Sequence, residues 1–507
     1  MQQRHQQAAN RQRRVILNND GNEVVYLATE PTAENVLSHH TTPVADTHVD
    51  SIFYCDWSSG FGMFTHRSEV AEIFDTKEDR FHKNVTADLH EQGTDPLQIM
   101  IDFCRDHDME IFWSMRMNDV HDGTVDDGEM RYPQLFPQFK RDHPEYLFGQ
   151  KGQRLPGVGS GRAWSAVDFG QQAVRDRAFD IIEDVCERYD VDGIELDYFR
   201  HALLLKKVVM GEEVTQADLD EITGMMRRIR EMTRRVERER DKPLLVAVRV
   251  PDSVEYCRDI GIDLRCWLEE DLFDLLIPTG YFRLNSWSYS VELGEEYGVP
   301  VYPCLSESRV RGPDGETDRF RNGTETIRGR ALRAWDAGGN GIYLFNQHHY
   351  FKPTAGIWSE LGDTETLEGL ERVHYVIARD AHAANSFLKG GTQYLDTPHL
   401  CPRHPVDIAP GDAQSAALYY PADPSEQADT MQQHLQVRLG DVAAAETVRV
   451  AVGDEVLTGT EEDDGWLSFE VTPGMLQHGY NTVSVSVADE AEASVRWLDV
   501  RLWVRPQ

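Results

Sequence analysis

The sequence predicts an α/β fold, a (β/α)8 TIM barrel followed by a C-terminal β-sandwich, and three observations carry that prediction. Eight short apolar runs of strand character are spread over residues 14–394, most of them separated by helical stretches. The loops after the second, third and fourth runs are long, and that is the end at which such barrels elaborate their working face. From about Leu395 the texture changes to short alternating runs with turn signals between them, the pattern of a sandwich.

In chain order, residues 1–13 read as a disordered tail, polar and basic. The first strand lies in Arg14–Asp20 and the second in Asp50–Asp56, which runs into a glycine-rich loop, 58–62. Helical spacing over 95–107 puts Leu97, Met100, Ile101, Phe103 and Cys104 on one side. The third strand falls in Met109–Asn118. A helix over 171–190 leads into the fourth, centred on Gly193–Asp197, and another spans roughly 215–242. Strands five to eight fall in Pro243–Val250, Phe273–Thr279, Val299–Leu305 and Gly341–Phe345, with helical stretches over 263–272, 288–297, 324–337 and 365–380. Residues 14–394 thus make the barrel domain and 395–507 the accessory sandwich. Its strands are read in 416–420, 434–439, 448–452, 466–471, 482–487 and 500–504.

Composition excludes several partners. The chain has 507 residues, 87 acidic against 51 Lys and Arg, for a formal charge of −36. That excess argues against nucleic acid and anionic membrane surfaces. No run approaches the roughly 18 apolar residues of a membrane span. The N-terminus meets no apolar core of a secretory signal, so the chain as written reads as cytoplasmic; a start codon set too far downstream would make it secreted or periplasmic. The seven cysteines are odd in number, several sit in apolar segments and none forms a CxxC pair, which reads as reduced core cysteine. Zinc, nucleotide and flavin signatures are lacking, so no metal or cofactor is expected.

Side chains alternate along a strand, so on the fourth strand Ile194 and Leu196 face the helices while Glu195 and Asp197 point inward. The same parity turns Ser114, Arg116 and Asn118 inward on the third strand and Arg249 inward on the fifth. Two guanidiniums flanking two carboxylates make a charge-balanced cluster, in which arginine keeps a carboxylate ionised, as a nucleophile requires. The plainer alternative is an ion-pair layer without chemistry, but buried pairs contribute little net stability. Glycoside hydrolysis needs a second carboxylate across the sugar, and Glu307, just past the seventh strand, is placed for it. The expected catalytic set is Asp197, with Glu195 one layer below holding Arg116 or Arg249, and Glu307 as acid/base. The expected substrate-binding set is Arg116, Asn118, Arg249, Tyr281, Trp57 and Asn346.

Asp192-Gly-Ile-Glu-Leu-Asp-Tyr-Phe-Arg200 resembles the fourth-strand motif of the family 10-like glycosyl hydrolases, and 110–119 and 14–21 are similar to that group as well. The resemblance implies a glycosidase barrel with a carbohydrate substrate. The same stretch is similar to the family 18 chitinase motif DGxDxDxE but departs from it, with Glu195 for the first inner Asp and Phe199 where the catalytic Glu belongs. The rival readings are a non-catalytic carbohydrate-binding barrel and a lyase or isomerase of sugar acids.

Overall fold

The computed structural model describes residues 1–312, 320–345, 356–424, 430–440, 446–461 and 466–507. Two compact units account for them. The first comprises Met1–Ser306, Asn340–Thr354 and His382–Leu395; the second comprises Glu307–Gly339, Ala355–Ala381 and Asp396–Gln507.

The first unit is an eight-stranded parallel barrel. Its strands are β1 (Val15–Asn19), β2 (Val49–Tyr54), β3 (Glu110–Arg116), β4 (Gly193–Asp197), β5 (Leu245–Val250), β6 (Leu275–Pro278), β7 (Cys304–Ser306) and β8 (Ile342–Phe345). They pair in the order β6-β5-β4-β3-β2-β1-β8-β7. Backbone bonds from Leu276 N to Pro300 O (3.0 Å) and from Tyr302 N to Leu276 O (2.9 Å) tie β6 to the residues ahead of β7 and close the ring. The seventh strand is shorter than expected. Pro300 and Pro303 lack an N–H to give to a ladder, so β7 proper begins only at Cys304.

The helices that flank β4 show why it lies where it does. In α1 (Gln172–Arg188) the buried residues Val174, Ala178, Ile181, Ile182 and Val185 recur at helical spacing and cover one face. The helix α2 (Gln216–Arg240) opens on a capping box, Thr215 with Asp218, and ends at Asp241 in the left-handed region. Gly193 faces inward, where an added Cβ would sit 2.2 Å from the Phe112 ring, so only glycine fits the start of this strand.

Residues 1–13, read as a disordered tail, are ordered. Gln2–Ala9 form a helix held by polar contacts, with His5 bonded to Asp274 at 2.7 Å and Arg4 paired with Asp241. Arg13 is fully buried and forks onto Glu110 at 2.7 and 2.9 Å. A search for an apolar helical face misses this segment because its anchors are charged.

The second unit contains the β-sandwich. One sheet is built on Val495–Pro506, which pairs with Arg372–Tyr375, Val406–Ile408 and Met431–Leu439. The other is built on Gly479–Val487, paired with Ala413–Tyr420 and Val448–Val452. Leu435, Val437, Val500 and Leu502 share one core with Leu418, Val450, Val483 and Val485. The stretch 365–380, expected to be helical, is a helix only over Thr364–Gly369; Arg372–Tyr375 is a strand of the sandwich. One break between the units does fall between Leu395 and Asp396, but the second unit also takes in segments from before it, among them the strand Arg372–Tyr375. None of the seven cysteines is in a disulfide, and six are buried. Among the described residues no helix is long and apolar enough to cross a membrane.

Candidate active site

Strand register sets two layers inside the barrel. Ser114, Glu195 and Ala247 pair across β3, β4 and β5, and one step toward the C-terminal end Arg116, Asp197 and Arg249 do the same. Every one of these residues is buried.

The lower acid, Glu195, has no exposure. Its Oε1 accepts from Tyr343 Oη at 2.7 Å; its Oε2 accepts from the Ser114 hydroxyl and, at 3.4 Å, from Asn18 Nδ2. Burial pushes its pKa up to about 7; the neighbouring Asp197 charge adds to the rise and Arg249 opposes it. Glu195 was expected to hold Arg116 or Arg249. Its hydrogen bonds go instead to three neutral side chains, because the arginines lie one layer above and have other acids.

Asp197 is the acid that holds an arginine. Its Oδ1 accepts from Arg249 Nε (2.9 Å) and from the backbone N–H groups of Phe199 (2.9 Å) and Arg200 (2.8 Å), while Oδ2 takes Arg249 Nη2. Oδ1 is thereby saturated, and Oδ2 keeps a lone pair. The Arg249 guanidinium lies 3.7 Å from the centroid of the Phe345 ring, and its Nη1 is buried without a hydrogen-bond partner. Arg116 turns the other way. It donates to Asp20 at 2.6 Å and to Ser58 O at 3.2 Å, with Asp119 at 3.7 Å.

The loops after β3 and β4 add a third group. Asp119 Oδ1 is fixed by the N–H groups of Gly60 (3.2 Å) and His121 (3.0 Å), and Oδ2 meets His121 Nδ1 at 2.7 Å and His201 Nδ1 at 3.8 Å. Burial lowers the pKa of both imidazoles, that of His201 strongly, and Arg200 reinforces the effect. Arginine can only donate, so the 2.8 Å bond from Arg200 Nη2 to His121 Nε2 fixes the tautomer: the ring proton is on Nδ1, directed at Asp119. One oxygen and two ring nitrogens within 4.8 Å of one another could in principle hold a metal ion. Here the His121 Nδ1 carries the proton, and the His201 Nδ1 lone pair accepts from Val120 N at 3.3 Å. Of the trio, only His121 is hydrogen-bonded to Asp119; His201 meets the acid at 3.8 Å and spends its Nδ1 lone pair on the backbone.

Other expected site residues fare differently. Tyr281 lies at the mouth, with ring contacts to Phe199 and Phe345 and the Arg200 guanidinium 5.2 Å from its centroid. Asn118 does not face a substrate. Its amide donates to Val167 O and Leu203 O and accepts from Val167 N, which uses it to tie two loops together. Trp57 is likewise a packing residue, in an apolar cluster with Val24, Phe74 and Phe81. Glu307 follows the last residue of β7 in the chain, is half-buried and belongs to the second unit. Asn346 lies outside the described residues. Reading strand ends alone missed Tyr343, His121, His201 and Arg200. Tyr343 and Phe345 could have been found from the alternation on the eighth strand. The two histidines could not, because only the folding of two loops brings them together.

No family model matches the chain, and no curated protein matches it. Among solved structures it is similar to the PgaB (BpsB) glycoside hydrolase domain from Bordetella bronchiseptica, at 10% identity over 69% of this chain and 99% of that one, with a TM-score of 0.42. It is similar to α-L-fucosidase isoenzyme 2 from Paenibacillus thiaminolyticus, at 13% identity over 70% and 49% of the two chains, TM-score 0.40. A cycloisomaltooligosaccharide glucanotransferase from a Paenibacillus species matches at 11% identity over 97% and 57%, TM-score 0.38. The chain thus spans about half the length of the last two. Likenesses at this level carry no weight on the chemistry of the site.

Proposed function

We propose that the protein is a glycoside hydrolase whose site is the C-terminal mouth of the barrel. The observation that carries this reading is the setting of Asp197. A carboxylate gripped by three donors on one oxygen keeps a lone pair on the other, at the strand end where barrel enzymes do their chemistry. Rigid orientation of this kind is what attack on an anomeric carbon, or on the water that attacks it, demands. The rings of Phe199, Tyr281 and Phe345 pack on one another close by. Arg249 is proposed to orient Asp197 and the substrate, and Arg116 to hold Asp20 and Asp119 beside them. The likeness of Asp192–Arg200 to the family 10-like glycosyl hydrolases supports the same assignment.

Glu195 serves this proposal as a positioning residue. Burial and three neutral partners suit it to hold the base of the site in register, not to touch the sugar.

The test is a hydrolysis screen of the full chain against a panel of polysaccharides, with reducing ends and ultraviolet absorbance read together. New reducing ends without absorbance are expected. An unsaturated, absorbing product would make the protein a lyase of sugar acids. Binding of a glycan without any product would make it a carbohydrate-binding barrel.

A further inference from the structure

The arginines of the barrel mouth fall into two kinds. Arg116 faces Asp20 and Arg249 faces Asp197. The Arg200 guanidinium meets no acid among the described residues: its contacts there are the His121 ring at 2.8 Å and the faces of Tyr281 and Phe345, at 5.2 and 5.9 Å from the ring centroids. Its Nε is also buried without a hydrogen-bond partner.

A second, independent observation lies beside it. Arg249 is fully buried, and its Nη1 likewise has no partner. Its guanidinium and that of Arg200 approach the same Phe345 ring, at 3.7 and 5.9 Å. A buried cationic donor left unmade is costly, and an anionic ligand is one partner that can complete it. The planar edge of a guanidinium matches a carboxylate in shape and charge.

We propose that Arg200, backed by the open Nη1 of Arg249, receives the carboxylate of an acidic sugar, so that the substrate is a uronate-containing glycan. This inference rests on the glycoside hydrolase reading and names its substrate class. Tyr281 and Phe345 then flank the charged sugar, and His121 holds the Arg200 fork in orientation from behind.

Calorimetry on the full chain tests it, with oligogalacturonates and oligoglucuronates as probes against neutral malto- and cello-oligosaccharides of equal length. The uronides should bind at least about tenfold more tightly and lose affinity as salt rises. Arg200→Gln should remove that preference while leaving neutral sugars unaffected, and Arg200→Lys should restore part of it; thermal melts check that each variant is folded. Equal affinity for acidic and neutral sugars, no uronide binding, or an intact preference in Arg200→Gln would overturn the proposal. A preference for sulfated over carboxylated oligosaccharides would overturn the carboxylate assignment. The two readings fail separately. Uronides bound through Arg200 but never hydrolysed leave the anion site and remove the hydrolase, whereas neutral glycans hydrolysed with Arg200 irrelevant do the reverse.

Discussion

Two buried arginine–carboxylate forks sit at opposite ends of the barrel, and they differ in how completely they are satisfied. At the N-terminal end Arg13 grips Glu110 with Nε and Nη2, and its remaining donors reach the carbonyls of Ala8, Ala9 and Arg11 and the Tyr302 hydroxyl. Ser51 donates to the same glutamate at 2.7 Å. At the C-terminal end Arg249 grips Asp197 but leaves Nη1 unbonded beneath an aromatic ring. The first fork is finished and binds the N-terminal helix to the floor of the barrel. The second is held open. Barrels divide labour between their ends in this way, with stability below and chemistry above.

Breaking the finished fork should have the largest effect on stability. Arg13→Met strands Glu110 in the interior and frees the helix carbonyls, for a loss of about 3–5 kcal/mol in denaturant unfolding. Activity per folded molecule should be unchanged; a fall in turnover would mean that the two ends are not separable. Next comes Glu195, whose pKa in the folded protein is raised from an ordinary 4.5 to about 7. A raised carboxylate supports the fold fully below its unfolded pKa, and that support is lost as pH rises through the folded value. Between about pH 4.5 and 7 the wild type should therefore lose up to about 3 kcal/mol relative to Glu195→Gln, which cannot titrate. Melting curves of the pair at several pH values check this, and parallel curves would contradict it. The smallest effect is expected of Arg249→Lys, which keeps the charge but loses the fork. It should lower kcat/KM at least tenfold, roughly the 1.4 kcal/mol of one impaired charged hydrogen bond, with less change in melting temperature than Arg13→Met. If its kinetics match the wild type, the upper fork is structural too.

The sheet was legible in the sequence because alternation is strict. A strand between helices turns its apolar residues outward, so Arg116, Glu195, Asp197 and Arg249 are brought into the barrel by parity alone. Partner choice within the barrel was not legible. Glu195 answers to Ser114, Tyr343 and Asn18 on three different strands, and only the closed ring brings those strands together. Residues on loops were the least legible. Asn118 has the correct parity, yet two loop carbonyls capture its amide. Trp57 sits one residue beyond the second strand's polar end, where a backbone turn with positive φ at Asp56 and Trp57 swings the ring into a separate apolar cluster. At the chain start, anchors made of ion pairs left no periodicity to find.

The central claim is that the open fork carries chemistry through Asp197, and one comparison tests it most directly. Asp197→Asn keeps an oxygen for the N–H groups of Phe199 and Arg200, so the turn after β4 has what it needs to persist. With a glycan found in the hydrolysis screen, release of reducing ends by this variant should fall on the order of a thousandfold or more, while its circular dichroism spectrum and sugar affinity stay close to those of the wild type. Wild-type release by folded Asp197→Asn would contradict the account and return the fourth strand to a structural role.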